Sequence, residues 1–167
     1  VMARLLRHVY GAEHVKYVRN ITDLDDKINA RAFERGISIR ELTDETIKVF
    51  HADMAQLNDA GPDEEPRATD FIEEMKEMVE TLLEKEYAYI EANHVFFNTL
   101  SIKDKYGRLS GRNIDELIAG ARVEPNPYKK NPTDFVLWKP SDPEKGEPAW
   151  PSPKGINKPG RPGWHLE

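Results

Sequence analysis

The sequence predicts an α/β fold, in which a short strand leads through a tight turn into a helix, joined to a smaller α+β unit. Residues 14–21 are rich in β-formers, which is typical of a short, largely buried strand. The spacing then becomes helical at Leu24, Ile28 and Ala32, and Gly36 ends the helix. Because open α/β sheets bind ligands at the carboxyl ends of their strands, the turn between strand and helix is the first place to look for a site.

The turn carries four polar candidates, which are Asn20, Thr22, Asp23 and Asp25. Helix capping explains them most simply, because Thr22 and Asp23 are good N-cap residues and acids favour the first turn of a helix. The acidic cluster that Asp26 completes is also compatible with Mg²⁺, which takes carboxylate oxygens. From these residues alone, capping is favoured over a metal site.

Two further helices are predicted in the first part of the chain. An apolar stripe begins at the first residue and ends at Gly11, so the chain opens inside a helix and is expected to be a piece of a longer protein. Ser38 and Glu41 have the spacing of a capping box and predict a long helix after them. His51 and Asp53 on that helix are interpreted as part of its solvated face.

The middle of the chain predicts a small α+β unit. Residues 58–66 are turn-rich and acidic, and are interpreted as a linker. A helix capped by Thr69 or Asp70 follows, with an apolar stripe on one side and a dense, solvated row of glutamates on the other. A hairpin over residues 87–97, with a four-residue loop, and a short helix over residues 113–119 complete the unit.

The last third of the chain is dominated by proline, since ten of the twelve prolines lie at or after Pro125. One predicted strand, residues 134–139, interrupts the prolines. Composition alone allows a proline-rich docking arm. The prolines have no clean polyproline register, however, and tryptophans among prolines and glycines favour a lid over a small ligand.

Composition excludes several classes of function. A formal charge of −6 argues against a general nucleic-acid binder, although it leaves a local basic surface open. The chain has no cysteine, and therefore no disulfide, thiolate nucleophile or thiolate metal ligand. No signal peptide or membrane span is recognisable in the sequence, so a cytoplasmic protein without membrane association is expected.

A series of ordered motifs resembles those of the cysteinyl-tRNA synthetase family. They are YVRNITDLDDKI at residues 17–28, PRAT at 66–69, GARV at 120–123, DFVLWK at 134–139, EPAWPSP at 147–153 and GRPGWHLE at 160–167. The resemblance covers the whole chain and implies a partial Rossmann-type catalytic domain of a class I synthetase. Residues 1–68 and 134–167 would belong to that domain, and residues 69–133 would be an inserted α+β connective-peptide subdomain.

The resemblance also implies an activity. The family activates cysteine with ATP as cysteinyl-adenylate and transfers the cysteinyl group to tRNA(Cys). Thr22 and Trp164 would form part of the cysteine pocket, although Trp164 could instead be a core aromatic. The further lining candidates are Asn20, Asp23, Asp25 and His165. No catalytic residue is assigned within the chain.

The cofactors implied by the family lie outside these residues. The family holds zinc, which binds the substrate thiol and so selects cysteine over serine. Its zinc ligands and phosphate-handling motifs are not in this sequence, so no metal ligand is assigned. The segment alone is expected to be inactive and to bind neither zinc nor ATP. The complete protein is expected to be a monomer that acts on cysteine, ATP and tRNA(Cys).

Two other functions stay open at this point. A related ligase joins cysteine to an amino sugar, but its connective segment is shorter than residues 69–123. The chain could also be a non-catalytic binding fragment whose acidic helices pack against a partner.

Overall fold

The computed structural model describes residues 1–111 and 126–166, except for the side chain of His165. It divides into two compact units, Val1–Phe71 and Ile72–Glu167. The predicted helix over residues 113–119 and the GARV motif lie outside the described residues. Each helix in the described parts is too short or too polar to cross a membrane.

Three α-helices form most of the first unit, namely α1 (Met2–Tyr10), α2 (Asp26–Arg35) and α3 (Ile39–Gln56). All three were predicted, and the residues that end α1 and α2 and the cap that begins α3 are as expected. Gly11 follows α1 and Gly36 follows α2. The Ser38 side chain accepts a hydrogen bond from the backbone N–H of Glu41, as the capping-box spacing predicts.

Two extended segments of the first unit, residues 17–21 and 64–68, pair in parallel. Ile21 donates its N–H to the carbonyl of Pro66 at 2.8 Å and accepts the N–H of Ala68 at 3.1 Å. Pro66 has no N–H to donate, so the row of backbone hydrogen bonds is interrupted at that residue. Parallel segments need a long crossover connection, and α2 and α3 supply it. We refer to these two segments as the parallel pair.

The parallel pair corrects two predictions. The strand expected over residues 14–21 starts too early, because Ala12–His14 form a single 3₁₀ turn, and no residue of the range is fully buried. The linker expected over residues 58–66 is wrong at its end. Glu64 and Pro66 are already extended and paired there.

The second unit packs α4 (Ile72–Glu84) with a four-stranded antiparallel sheet. The strands follow in the order β1 (Ala88–Glu91), β2 (His94–Phe97), β3 (Phe135–Pro140) and β4 (Gly160–Pro162). The predicted apolar stripe of α4 is confirmed, since Ile72, Met75 and Val79 are buried. Phe96 and Trp138 are completely buried and are the largest side chains of the core.

The hairpin between β1 and β2 is tighter than predicted. Glu91 pairs with His94, so the loop has two residues, Ala92 and Asn93. Their φ angles of 48° and 61° are both in the left-handed region. Two-residue hairpin turns of this kind need positive φ at both central positions, and Asn is one of the residues that tolerate it. The prediction of a four-residue loop is therefore wrong.

Strand β4 was not predicted, because its composition suggested a Pro/Gly loop. The strand forms where glycine lets two backbones approach closely. The N–H of Gly163 donates to the carbonyl of Leu137 at 2.7 Å, and a Cβ added at Gly163 would collide with the carbonyl of Val136. At the other end of β4, a Cβ on Gly160 would lie 2.5 Å from the carbonyl oxygen of Lys139.

A Gly163→Ala substitution tests this close approach. We expect it to lower the free energy of unfolding by about 1–3 kcal/mol, because the backbone of β3 must move to accept the methyl group. Urea denaturation followed by tryptophan fluorescence measures the change. Gly61→Ala is the matched control, since nothing lies within 4 Å of its added Cβ. Equal effects at the two positions would contradict the account of β4.

Candidate functional site

A cleft of about 500 Å³ opens in the first unit beside the end of residues 17–21. That volume suits a small ligand, since ligand pockets span roughly 300–1,000 Å³. Its wall is mainly apolar, with hydroxyl, amide and cationic groups added. The lining residues are Arg19, Asn20, Ile21, Thr22, Lys27, Ile28, Arg31, Leu42, Thr43, Thr46, Ile47 and Phe50.

Two of the predicted site residues meet in this cleft. Thr22 and Asn20 both line it, and the Asn20 Nδ2 donates to the Thr22 Oγ1 at 3.2 Å. The opposite wall comes from α3, where Leu42, Thr46 and Phe50 follow one another at a spacing of four residues. Side chains at that spacing lie on one face of a helix. Leu42, Thr46 and Phe50 therefore line the cleft from one face of α3.

Asp23 does not line the cleft, and its side chain is only 1% exposed. Its carboxylate accepts hydrogen bonds from the Arg67 Nε at 2.8 Å, the Thr69 N–H at 2.9 Å and the Thr69 Oγ1 at 2.6 Å. A buried charge is tolerated only when it is paired and hydrogen-bonded, and these donors meet that requirement. The expectation that Asp23 lines a site is thus corrected.

Arg67 extends this buried pair to α3. Its Nη1 donates to the Asp44 Oδ1 and its Nη2 to the Thr43 Oγ1, each at 2.5 Å. Burial opposes the charged form of Arg67, but the bonds to Asp23 and Asp44 outweigh it and raise the pKa of the guanidinium. The Arg67 hydrogen bond lowers the pKa of Asp44 in turn. One guanidinium thus joins the end of the first extended segment to the helix across the cleft.

Asp25, not Thr22 or Asp23, is the cap of α2. Its side chain accepts the N–H of Lys27 at 2.8 Å, and Asp26 is the first residue of the helix. Capping was thus the right interpretation of the acidic cluster, but at the wrong residues. The carboxylates of Asp23 and Asp25 serve separate partners and do not form a magnesium site.

The described residues do not fit the zinc ion that the family resemblance implies. The chain has no cysteine, and no group of three His, Asp or Glu side chains converges in residues 1–111 and 126–166.

Trp164 lies in the second unit, in a single 3₁₀ turn, Trp164–Leu166, that follows β4. Trp164 is 60% exposed and so lies outside the core of the described part of this unit. Trp138 lies in that core instead, with its Nε1 donating to the Ser152 Oγ at 2.9 Å. The side chain of His165 lies outside the described residues.

A salt bridge holds the backbone that leads to Trp164. The Arg161 guanidinium of β4 donates to both carboxylate oxygens of Glu147, at 2.6 Å and 2.8 Å. Arg161 is buried, and it also donates to the carbonyl of Pro140 at 2.8 Å. These bonds hold the backbone just before Trp164 in place, although Trp164 itself is exposed.

A second charged group beside the cleft was missed in the sequence. Glu65, assigned to the linker, accepts from the Arg19 Nε at 2.9 Å and Nη2 at 2.7 Å, and lies 2.5 Å from the His51 Nε2. Burial opposes ionisation of Glu65, but the bonds from Arg19 and His51 outweigh it and lower its pKa. Arg19 also lies 4.7 Å from the ring centroid of Phe50. Asp53 and His51 are both exposed, as predicted, and His51 also takes part in this group.

The second unit contains a buried carboxylate, Asp134, which is 1% exposed. It accepts from the N–H of Thr99 at 3.0 Å, from the Tyr89 hydroxyl at 2.8 Å and from the N–H of Asn131 at 3.1 Å. Burial raises the pKa of Tyr89 to about 12, with Asp134 adding to the shift and the N–H of Lys130 opposing it. This group ties the hairpin to the start of β3.

Comparison with known proteins decides the family. A sequence model described as the tRNA synthetases class I (C) catalytic domain matches residues 1–167. The chain belongs to this family. The family inferred from the ordered motifs is thereby confirmed.

Three relatives of the class I (C) synthetase family illustrate the similarity. The chain is 60% identical to a cysteine–tRNA ligase of Xanthobacter autotrophicus, over all of its own length and 36% of that protein. It is 58% identical to the corresponding ligases of Beijerinckia indica and Ruegeria pomeroyi, over all of its length and 35% of each. The chain thus spans about a third of the length of these relatives.

The pKa of Tyr89 predicts how stability depends on alkaline pH. The folded protein holds the phenol proton more tightly than the unfolded chain, whose value is near 10.0. The stabilisation is therefore fully present below pH 10 and is lost as the pH rises from 10 to about 12. Tyr89→Phe should flatten the decline of unfolding free energy over that interval, in urea denaturation at stepped pH.

Neutral pH provides the control for this variant. There, Tyr89→Phe should cost about 1–3 kcal/mol, because buried Asp134 loses a donor. Tyr87→Phe changes an exposed phenol and should cost less than about 0.5 kcal/mol. If the unfolding free energy of Tyr89→Phe declines above pH 10 as steeply as that of the wild type, the pKa of the Tyr89 phenol is not raised in the folded protein.

Proposed function

We propose that this chain is part of the catalytic domain of a ligase that activates cysteine with ATP and transfers it to tRNA(Cys). The observation that carries the proposal is the cleft at the end of residues 17–21, with the Thr22 hydroxyl in its wall. The membership of the class I (C) synthetase family and the names of the relatives support the same activity. The complete enzyme is proposed to act as a monomer in the cytoplasm.

The proposed domain organisation has three segments. Residues 1–68 and 134–167 belong to a Rossmann-type catalytic domain, and residues 69–133 form the connective peptide inserted into it. The parallel pair with its helical crossover supports the first assignment, because such units are the building blocks of doubly wound sheets. The antiparallel hairpin supports the second. Strand β3 is then the element by which the chain leaves the insertion.

The proposed reaction has an activation step and a transfer step, and the two predicted pocket residues are proposed to have different roles in it. A carboxylate oxygen of cysteine attacks the α-phosphorus of ATP, the bond to the β,γ-phosphates breaks, and pyrophosphate leaves. The transfer step then replaces AMP by a hydroxyl of the terminal tRNA ribose. We propose that the Thr22 hydroxyl positions the amino acid, and that the Trp164 indole contacts its side chain and excludes water.

Kinetics of the complete enzyme test these roles. In cysteine-dependent ATP–pyrophosphate exchange, Thr22→Val and Trp164→Phe should each raise the KM for cysteine about tenfold. Thr22→Val removes one hydrogen bond to the amino acid, and Trp164→Phe removes a contact that shapes the pocket. The KM for ATP should stay within about twofold. Trp164→Phe should also weaken discrimination against serine, because the indole shapes the side-chain pocket.

Thr81→Val is the matched control, since the Thr81 hydroxyl donates to the Glu77 carbonyl within α4 and Thr81 is not one of the residues that line the cleft. If both substrates weaken together, in step with a lower melting temperature, the two residues are structural. If the wild-type enzyme exchanges pyrophosphate without using cysteine, the proposed function itself is wrong. Ligation of cysteine to an amino sugar in place of tRNA would favour the related ligase. The absence of any pyrophosphate exchange would favour a binding fragment.

A further inference from the structure

We infer that Asp23 and Arg67 are positioning residues for the cleft that holds cysteine, a role that rests on the proposed function. Neither side chain is proposed to touch substrate. Together they fix where the Thr22 hydroxyl lies relative to the opposite wall. The inference comes from three features of the first unit: the burial of Asp23, the contacts of Arg67, and the interruption of the backbone pairing at Pro66.

The first feature is that the residue next to Thr22 is held by its side chain. Asp23 is 1% exposed, and Arg67 and Thr69 donate to its two carboxylate oxygens. Charge-assisted hydrogen bonds of this kind are stronger and more strongly oriented than neutral ones. Because Thr22 and Asp23 are adjacent, a shift of the carboxylate carries the Thr22 backbone with it.

The second feature is that Arg67 reaches the opposite wall. Its Nη2 donates to Thr43, which lines the cleft, and its Nη1 donates to Asp44 on the same helix. A planar guanidinium can satisfy these partners and Asp23 at once in fixed directions, whereas a lysine ammonium is a flexible point charge. Arg67 is therefore one of the side chains that fix the position of α3 relative to the segment that carries Thr22.

The third feature is that the backbone pairing is interrupted next to Arg67. Pro66 has no N–H to donate, although Ile21 still bonds to the Pro66 carbonyl and to the Ala68 N–H on either side of Arg67. Side-chain bonds from residues 67 and 69 add to the alignment that these backbone bonds give. Active-site groups misplaced by about 1 Å can lose about 100-fold in rate, so this alignment has a kinetic consequence.

Two variants of the complete enzyme test the inference. Arg67→Lys keeps the positive charge but loses the planar set of guanidinium donors, and should lower kcat/KM for cysteine about 10- to 100-fold. Thr69→Val is nearly isosteric and removes one bond to Asp23, so we expect a drop of about three- to tenfold. In both, the KM for ATP should stay within about twofold, and discrimination between cysteine and serine should weaken.

Arg35→Lys is the control, because it changes an exposed ion pair with Glu45 that lies away from the cleft lining. The inference is overturned if both variants match this control. It is also overturned if cysteine and ATP kinetics fall equally, in proportion to the melting temperature. If Arg67→Lys does not fold, Thr69→Val decides alone.

The same assay separates this inference from the proposed function. A wild-type enzyme that shows no cysteine-dependent exchange overturns both. An active wild type with unaffected Thr69→Val and Arg67→Lys variants overturns only the positioning role.

Discussion

The buried pair of Asp23 and Arg67 is the interaction on which the first unit depends. A carboxylate that is 1% exposed destabilises the fold unless donors surround it, so the chain must bring Arg67 and Thr69 to it. That requirement aligns the two extended segments and fixes α3 through Thr43 and Asp44. The cleft is what remains between the parts that this pair joins.

The second unit follows the same principle with different chemistry. Gly163 lies against the backbone of β3, and Arg161 is held by Glu147, so the chain is fixed immediately before Trp164. In both units a residue proposed for substrate binding is exposed or lines a cleft, while its neighbour in sequence is buried and bonded. A restrained backbone next to an accessible side chain preorganises a site with few residues.

The sequence was most informative where local chemistry decides structure. The cap at Ser38, the apolar stripe of α4 and the hairpin composition predicted their elements, because each depends on neighbours within a few residues. The ordered motifs identified the family and brought Thr22 and Trp164 forward as candidates.

The failures share a cause, which is dependence on distant partners. Nothing near Asp23 in sequence reveals that Arg67, 44 residues away, would bury it, and so it was interpreted as a cap or site residue. Strand β4 has the composition of a loop, and only the backbone of β3 makes it a strand. Glu65 resembled a solvated linker residue until Arg19 and His51 were brought to it.

The most direct test of the account is a crystal structure of the complete enzyme with a non-hydrolysable cysteinyl-adenylate analogue. We predict that the cysteinyl part of the analogue contacts the Thr22 hydroxyl, while Asp23 and Arg67 remain paired and do not touch the analogue. An analogue that binds away from Thr22 would contradict the account.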